Sequence, residues 1–355
     1  MGITVTGGIS FGSGMVFRTP VPPSYYIAVA VSGSGITAYP WSGSGFGAKF
    51  SNPATLPPYD GRAVAFNSGA SAIAVTNSLI SPFITAYPWS SSGFGTKFAD
   101  PATLPAGTGT GVAFTTANNA IAVAHNNSPF LSVYPWSGSG FGTKFANPAT
   151  PLPNNNSNAV AFSPSDNAIV VGTTGGFRIE AYSWSVSGFG TKFADPATIA
   201  SLECLGVTFS PSGNALAAAR SSSPYITVYS WSGSGFGTSY ANPATLPTGT
   251  GRGVAFSPAG NAIAVAHDTT PFVTAYPWSG SGFGTKFADP ATLPADAGRS
   301  VAFLSSGDAA AVAHDTSPFV SAYPWSGSGF GTKFSNPATL PDGNGYGVAF
   351  GTIQE

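Results

Sequence analysis

The chain has 355 residues, only 7% of them charged, with a formal net charge of −1. Soluble proteins ordinarily carry roughly 25% charged residues, and no basic stripe is present to neutralise phosphates, so nucleic acid is excluded as a partner. The 46 Gly and 31 Pro would suggest disorder in an aperiodic chain, but 27 Phe, 13 Tyr and 7 Trp supply ample apolar area to offset chain ordering.

The first 23 residues are expected to form an N-terminal arm. MGITVTGGISFGSGMVF lacks the basic n-region and continuous apolar h-region of a secretory signal. No later run approaches the 18 or so apolar residues of a membrane span, so membrane insertion is not expected. The single cysteine, Cys204, excludes an intramolecular disulfide framework.

From residue 24 the chain is periodic. Trp41, Trp89, Trp136, Trp184, Trp231, Trp278 and Trp325 are spaced by 47 or 48 residues, and Phe66, Phe114, Phe162, Phe209, Phe256, Phe303 and Phe350 keep the same period. Such a period marks a repeat architecture. In the sixth unit, GVAFS (Gly253–Ser257) leads through the turn PAGN to AIAVAH (Ala262–His267). FVTAYPWS (Phe272–Ser279) and, after GSGFG, TKFADPATLP follow. The first two runs are apolar at nearly every position and predict strands buried on both faces. The third carries the large Tyr and Trp; the fourth, with Lys and Pro, suits an outer edge. Four strands graded from small to bulky describe a propeller blade. Residues 24–355 are therefore expected to form one all-β, seven-bladed propeller of four-stranded antiparallel blades. The chain enters its first unit at a second strand, YYIAVAV (Tyr25–Val31), and ends on a lone first strand, GYGVAFGT, so the C-terminal strand should complete the N-terminal blade. GMVF (Gly14–Phe17) is the rival for that slot.

SPSGNALAAARSSSPYITVYSW and SPAGNAIAVAHDTTPFVTAYPW resemble the core of WD40-type propellers over nearly all of residues 24–350. The Gly-His pair that usually precedes the first WD40 strand is missing in every unit, so the usual His–Ser/Thr–Asp–Trp network is not implied. The fuller pattern, with PATLP and GVAF linking AVAHDTSPF-type blades, resembles repeats of tailed-phage and prophage structural proteins. That resemblance implies a virion component such as a tail fibre or decoration.

Comparing copies within the chain narrows the candidate site. The WSGSGFGT link barely varies, while both loop sets of the opposite face differ in every copy, as a binding face would. Four residues before the marker Phe sit Arg62, Thr110, Asn158, Leu205, Arg252, Arg299 and Tyr346. Arg252, Arg299, Tyr346 and Arg62 then fall in four consecutive blades around the closure seam, with His267 and His314 ending second strands in two of them. Guanidiniums pair with carboxylates and Tyr stacks on sugar rings, so this arc suits an acidic glycan or carboxylated peptide. The alternative is that Asp60, Asp296 and Asp342 neutralise the arginines. Across the ring, Arg178, Glu180, Glu203 and Cys204 depart from the repeat and could form an assembly contact. One lysine in each of six blades (Lys49, Lys97, Lys144, Lys192, Lys286, Lys333) is expected to keep outer edges soluble.

No HExxH, CxxC, GxSxG or P-loop pattern is present, and no metal or cofactor is implied. The expected function is a non-enzymatic recognition or adhesion propeller on a virion surface, or extracellular after release. Its expected partners are a host-surface glycan or protein, or other virion proteins. A structural decoration docking onto a larger particle and a propeller hydrolase acting on glycans are the alternatives.

Overall fold

The computed structural model describes residues 10–11, 15–16, 22–148, 153, 155–175, 179–197 and 203–354. They form seven four-stranded antiparallel sheets and one two-stranded pair, Ser10–Phe11 with Met15–Val16. In the sixth blade the strands, from the axis outward, are Gly251–Phe256, Ala262–His267, Val273–Ser279 and Gly282–Phe283. The first strand of each blade packs beside the first strand of the next, and the ring closes. Gly345–Ile353 pairs antiparallel with Ser24–Val31, so the C-terminal strand completes the first blade and the rival segment is not needed there.

Alternation along the second strands builds the walls between blades. Ala262, Ala264 and Ala266 face the seventh blade, whereas Ile263 and Val265 face the fifth. Small residues thus meet large ones at each junction, and one such cluster occupies every junction of the ring. The tryptophan is the keystone. Trp41 lies edge-on to Phe46 of its own outer strand, Phe350 of its inner strand and Phe334 of the preceding blade, with centroids 5.1–5.2 Å away. Such T-shaped contacts suit the aromatic quadrupole. The repeated Trp, GVAF Phe, GF Phe and TKF Phe are therefore parts of one cage that spans two blades. The turn before it requires glycine: Gly93 has φ +93°, and a Cβ there would come within 2.8 Å of Phe50 in the preceding blade.

The outer quarter of the blade differs from expectation. In most blades the fourth strand is only the Gly-Phe pair, and the Lys-containing segment beyond it is irregular. Its lysines are latches rather than solvent-facing charges. Lys97 bonds Asp100 at 2.5 Å and Lys192 bonds Asp195 at 2.7 Å, three residues on, while Lys49 reaches Asp342 at 2.8 Å. Their side chains are only 11–19% exposed. The same segment is anchored by the buried tyrosine of the next blade, as where the Tyr276 hydroxyl donates to the Thr245 carbonyl at 2.8 Å. The ordered Pro-Ala-Thr link follows from that bond.

Candidate functional site

The seven residues four places before the marker Phe share one structural origin. In every inner hairpin the register slips at this point. Gly298 pairs with His314 and Ser300 with Ala313, which leaves Arg299 as the extra residue of a β-bulge. Arg252, Thr110, Asn158 and Leu205 occupy the same slip in their blades, and Tyr346 and the Arg62 step do likewise. A bulge kinks the strand and re-aims the extra side chain. Here all seven line one cavity of ≈ 180 Å³ at the axis, together with backbone of the inner strands. In the seventh blade the residue before the bulge is glycine, and a Cβ on Gly298 would lie 2.3 Å from the Phe272 carbonyl of the preceding blade.

The cavity is chemically lopsided. On one side Thr110 bonds the Ser157 carbonyl at 2.6 Å and Asn158 the Cys204 carbonyl at 3.0 Å, both reaching into the next blade. The Thr110 hydroxyl and the Asn158 amide nitrogen are thus engaged with the ring, and Leu205 is apolar. On the other side stand Arg252, Arg299, Tyr346 and Arg62. Asp315 receives Arg299 on both oxygens, with Nε at 2.9 Å from each and Nη2 closing the fork. This hydrogen bonding raises the Arg299 pKa further. Arg252 meets Asp268 through a single contact of 3.2 Å. The Arg62 guanidinium lies 4.7 Å from the Tyr346 ring centroid.

Several expected residues are placed elsewhere. His267 and His314 are fully buried beneath the mouth. Their Nε2 atoms bond the Thr274 hydroxyl at 2.8 Å and the Ser321 hydroxyl at 3.0 Å, and His125 bonds Ser132 in the same way. They bind no ligand at the mouth because the last residue of each second strand is still inside the sheet. Asp60, Asp296 and Asp342 do not neutralise the arginines: they hold the Gly33 amide, the Thr316 hydroxyl and Lys49. Asp268 and Asp315 do so instead, 16 residues beyond their arginines in the same hairpins. Two members of the assembly set, Glu180 and Cys204, are also interior. Glu180 is 1% exposed, accepts the Tyr182 hydroxyl at 3.1 Å and lies 3.6 Å from Lys192. Cys204 is fully buried, Glu203 is half-buried with its carbonyl taken by the Ser221 amide, and Arg178 lies outside the described residues.

The buried histidines predict an acid response. Burial lowers each from the ordinary 6.5 to about 4. The unfolded chain takes up these protons as pH falls through about 6.5, whereas the folded chain resists until about 4. Their contribution to stability is complete above that window and is lost progressively as pH drops across it. Thermal melts between pH 7 and pH 4 should show a falling Tm. His267→Asn, which copies the neutral Asn77–Thr85 pair of the second blade, should make the fall shallower. An unchanged slope would refute the assignment.

The fold and the mouth together define a closed seven-bladed propeller with a cationic axial cavity. No family model matches the chain, and no curated protein is similar to it in sequence. Solved structures are similar in fold. A Lactobacillus plantarum protein superposes with a TM-score of 0.73 at 14% identity, covering 92% of this chain and 99% of its own. A proposed 6-phosphogluconolactonase from Bacteroides fragilis gives 0.70 at 11% identity, covering 92% and 98%. The periplasmic gluconolactonase of Pseudomonas aeruginosa gives 0.69 at 15% identity, covering 93% and 99%. These neighbours correct the expectation of a non-enzymatic virion adhesion module: proteins built on the same whole-length frame carry lactonase names. The seven-bladed fold expected from the WD40-like pattern stands, and the phage repeat type gains no support.

Proposed function

We propose that this propeller is a hydrolase that opens a cyclic sugar ester at its axial mouth. The observation that carries the proposal is the convergence of three bulge-borne arginines on one ≈ 180 Å³ cavity, two of them oriented by carboxylates. The lactonase names of the fold neighbours support the reaction class.

Ring opening joins a water oxygen to the ester carbonyl carbon and breaks the bond from that carbon to the ring oxygen. A hydroxy-carboxylate and one proton result. Negative charge develops on the carbonyl oxygen as water adds, and preorganised donors at that oxygen lower the barrier. The Arg299 guanidinium, clamped by Asp315, is such a donor, because its carboxylate fixes the plane in which the remaining N–H groups point. Asp315 is spent on that clamp. Asp268, which orients Arg252 from outside the cavity lining, likewise serves as a positioning group, and the attacking water passes its proton to solvent. No side-chain nucleophile is required, and the buried histidines take no part.

Acid release from glucono-1,5-lactone, measured above the spontaneous rate, tests this directly. Wild-type protein should accelerate opening, and Arg299→Ala should lower kcat/KM by about 10²-fold, the usual cost of one oxyanion donor. A folded wild-type protein that never exceeds the uncatalysed rate with neutral or phosphorylated lactone would sink the proposal.

A further inference from the structure

We infer that Arg62 selects an anionic ligand, and that its subsite exists only when the C-terminal strand closes the ring, so that a bound anion locks that strand in place. The inference rests on the axial mouth being the active site.

Three consecutive inner strands contribute Arg299, Tyr346 and Arg62 at the same bulge position. The middle residue, Tyr346, is on Gly345–Ile353, the strand that ends the chain and is zipped into the first blade by hydrogen bonds to Ser24–Val31. The seam on the Arg62 side is tight: a Cβ on Gly347 would lie 3.0 Å from Ala63 Cα and 3.1 Å from the Arg62 carbonyl.

Charge singles out Arg62. Arg252 and Arg299 face Asp268 and Asp315, whereas Arg62 makes no ion pair among the described residues, and no carboxylate lines the cavity. Its partner is the Tyr346 ring at 4.7 Å. Contact with a ring face orients a guanidinium without consuming the in-plane N–H groups, which remain suited to two oxygens of one anion. The mouth therefore presents one uncompensated cation beside two compensated ones. The matching ligand is a sugar acid, its anionic group being a carboxylate or a phosphate.

A ligand that reaches Arg62 and Arg299 across Tyr346 finds both only when the closing strand is seated. Binding to the closed state alone suppresses opening by the factor 1 + [L]/Kd. Hydrogen exchange of the full chain reads this strand by strand. The probes are 6-phosphogluconate, gluconate and the uncharged sorbitol, at matched ionic strength. At ten times its Kd, an anionic probe should slow exchange in Gly345–Ile353 by about tenfold. The inner strand Ser157–Phe162, on the uncharged side, should slow far less, and sorbitol should change neither. Protection by 6-phosphogluconate alone assigns a phosphate, and protection by gluconate as well assigns the carboxylate; either supports the inference. Arg62→Gln should abolish the protection while leaving the chain folded. Protection that is absent, uniform over all inner strands, or unchanged in Arg62→Gln overturns it. Ring opening by wild type without protection of the strand defeats this inference alone. Protection without ring opening defeats the hydrolase reading alone.

Discussion

A chain that stops at Asn344 is expected to lose cooperative folding altogether. Gly345–Ile353 is the inner strand of the first blade, and its removal strips Ser24–Val31 of a partner along its whole length. It also takes Val348 from the junction between the seventh and first blades, and Phe350 from the Trp41 cage. The edge left behind would face the axis, flanked by the inner strands of the second and seventh blades. Native domains are stable by only about 5–15 kcal/mol, so an opened ring has no margin. Urea unfolding followed by tryptophan fluorescence should show a broad, non-cooperative change or aggregation in place of one transition. A chain lacking residues 1–18 should keep its transition, because the inner slot is already filled. The reverse pattern would mean that the N-terminal segment closes the ring.

The second large effect is expected from Trp89→Ala. Trp89 meets Phe50, Phe66, Phe94 and Tyr26 edge-on at 4.9–5.4 Å, so its loss empties a cage built from two blades. Truncating a buried aromatic to Ala costs roughly 3–5 kcal/mol, a large part of the net stability of a domain. The urea midpoint should fall accordingly with little change in slope. A loss of only about 0.5 kcal/mol, the range of ordinary surface changes, would show that the cage is not what joins the blades.

The architecture was legible because one physical unit is written seven times. Trp, three Phe, Tyr and Pro-Ala-Thr recur at fixed intervals, and each is a part of the cage or its anchor. The arginine arc was legible from comparing copies at one register position. Its cause was not, because a bulge leaves no composition of its own; only the glycine or small residue before the extra position hints at it. The partners of Arg252 and Arg299 are hidden from the sequence for the same reason. Loop proximity pointed to Asp296, whereas hairpin pairing brings up Asp315, next to the residue opposite Gly298. His267 and His314 each precede an Asp in the sequence, as an accessible site would, and only the register shows that the sheet covers them. The proposed reaction would leave no motif, because ester opening by water needs oriented cations rather than a triad.

The most direct measurement is a crystal structure of the wild-type protein grown with gluconate or 6-phosphogluconate, the hydroxy-acid products of the proposed chemistry. The account predicts one ligand in the axial cavity, 6-phosphogluconate lying with its phosphate on Arg62 and its carboxylate, the former lactone carbonyl, within hydrogen-bond reach of Arg299. A ligand seated between blades or on the opposite face, with the axial cavity holding only solvent, would contradict it.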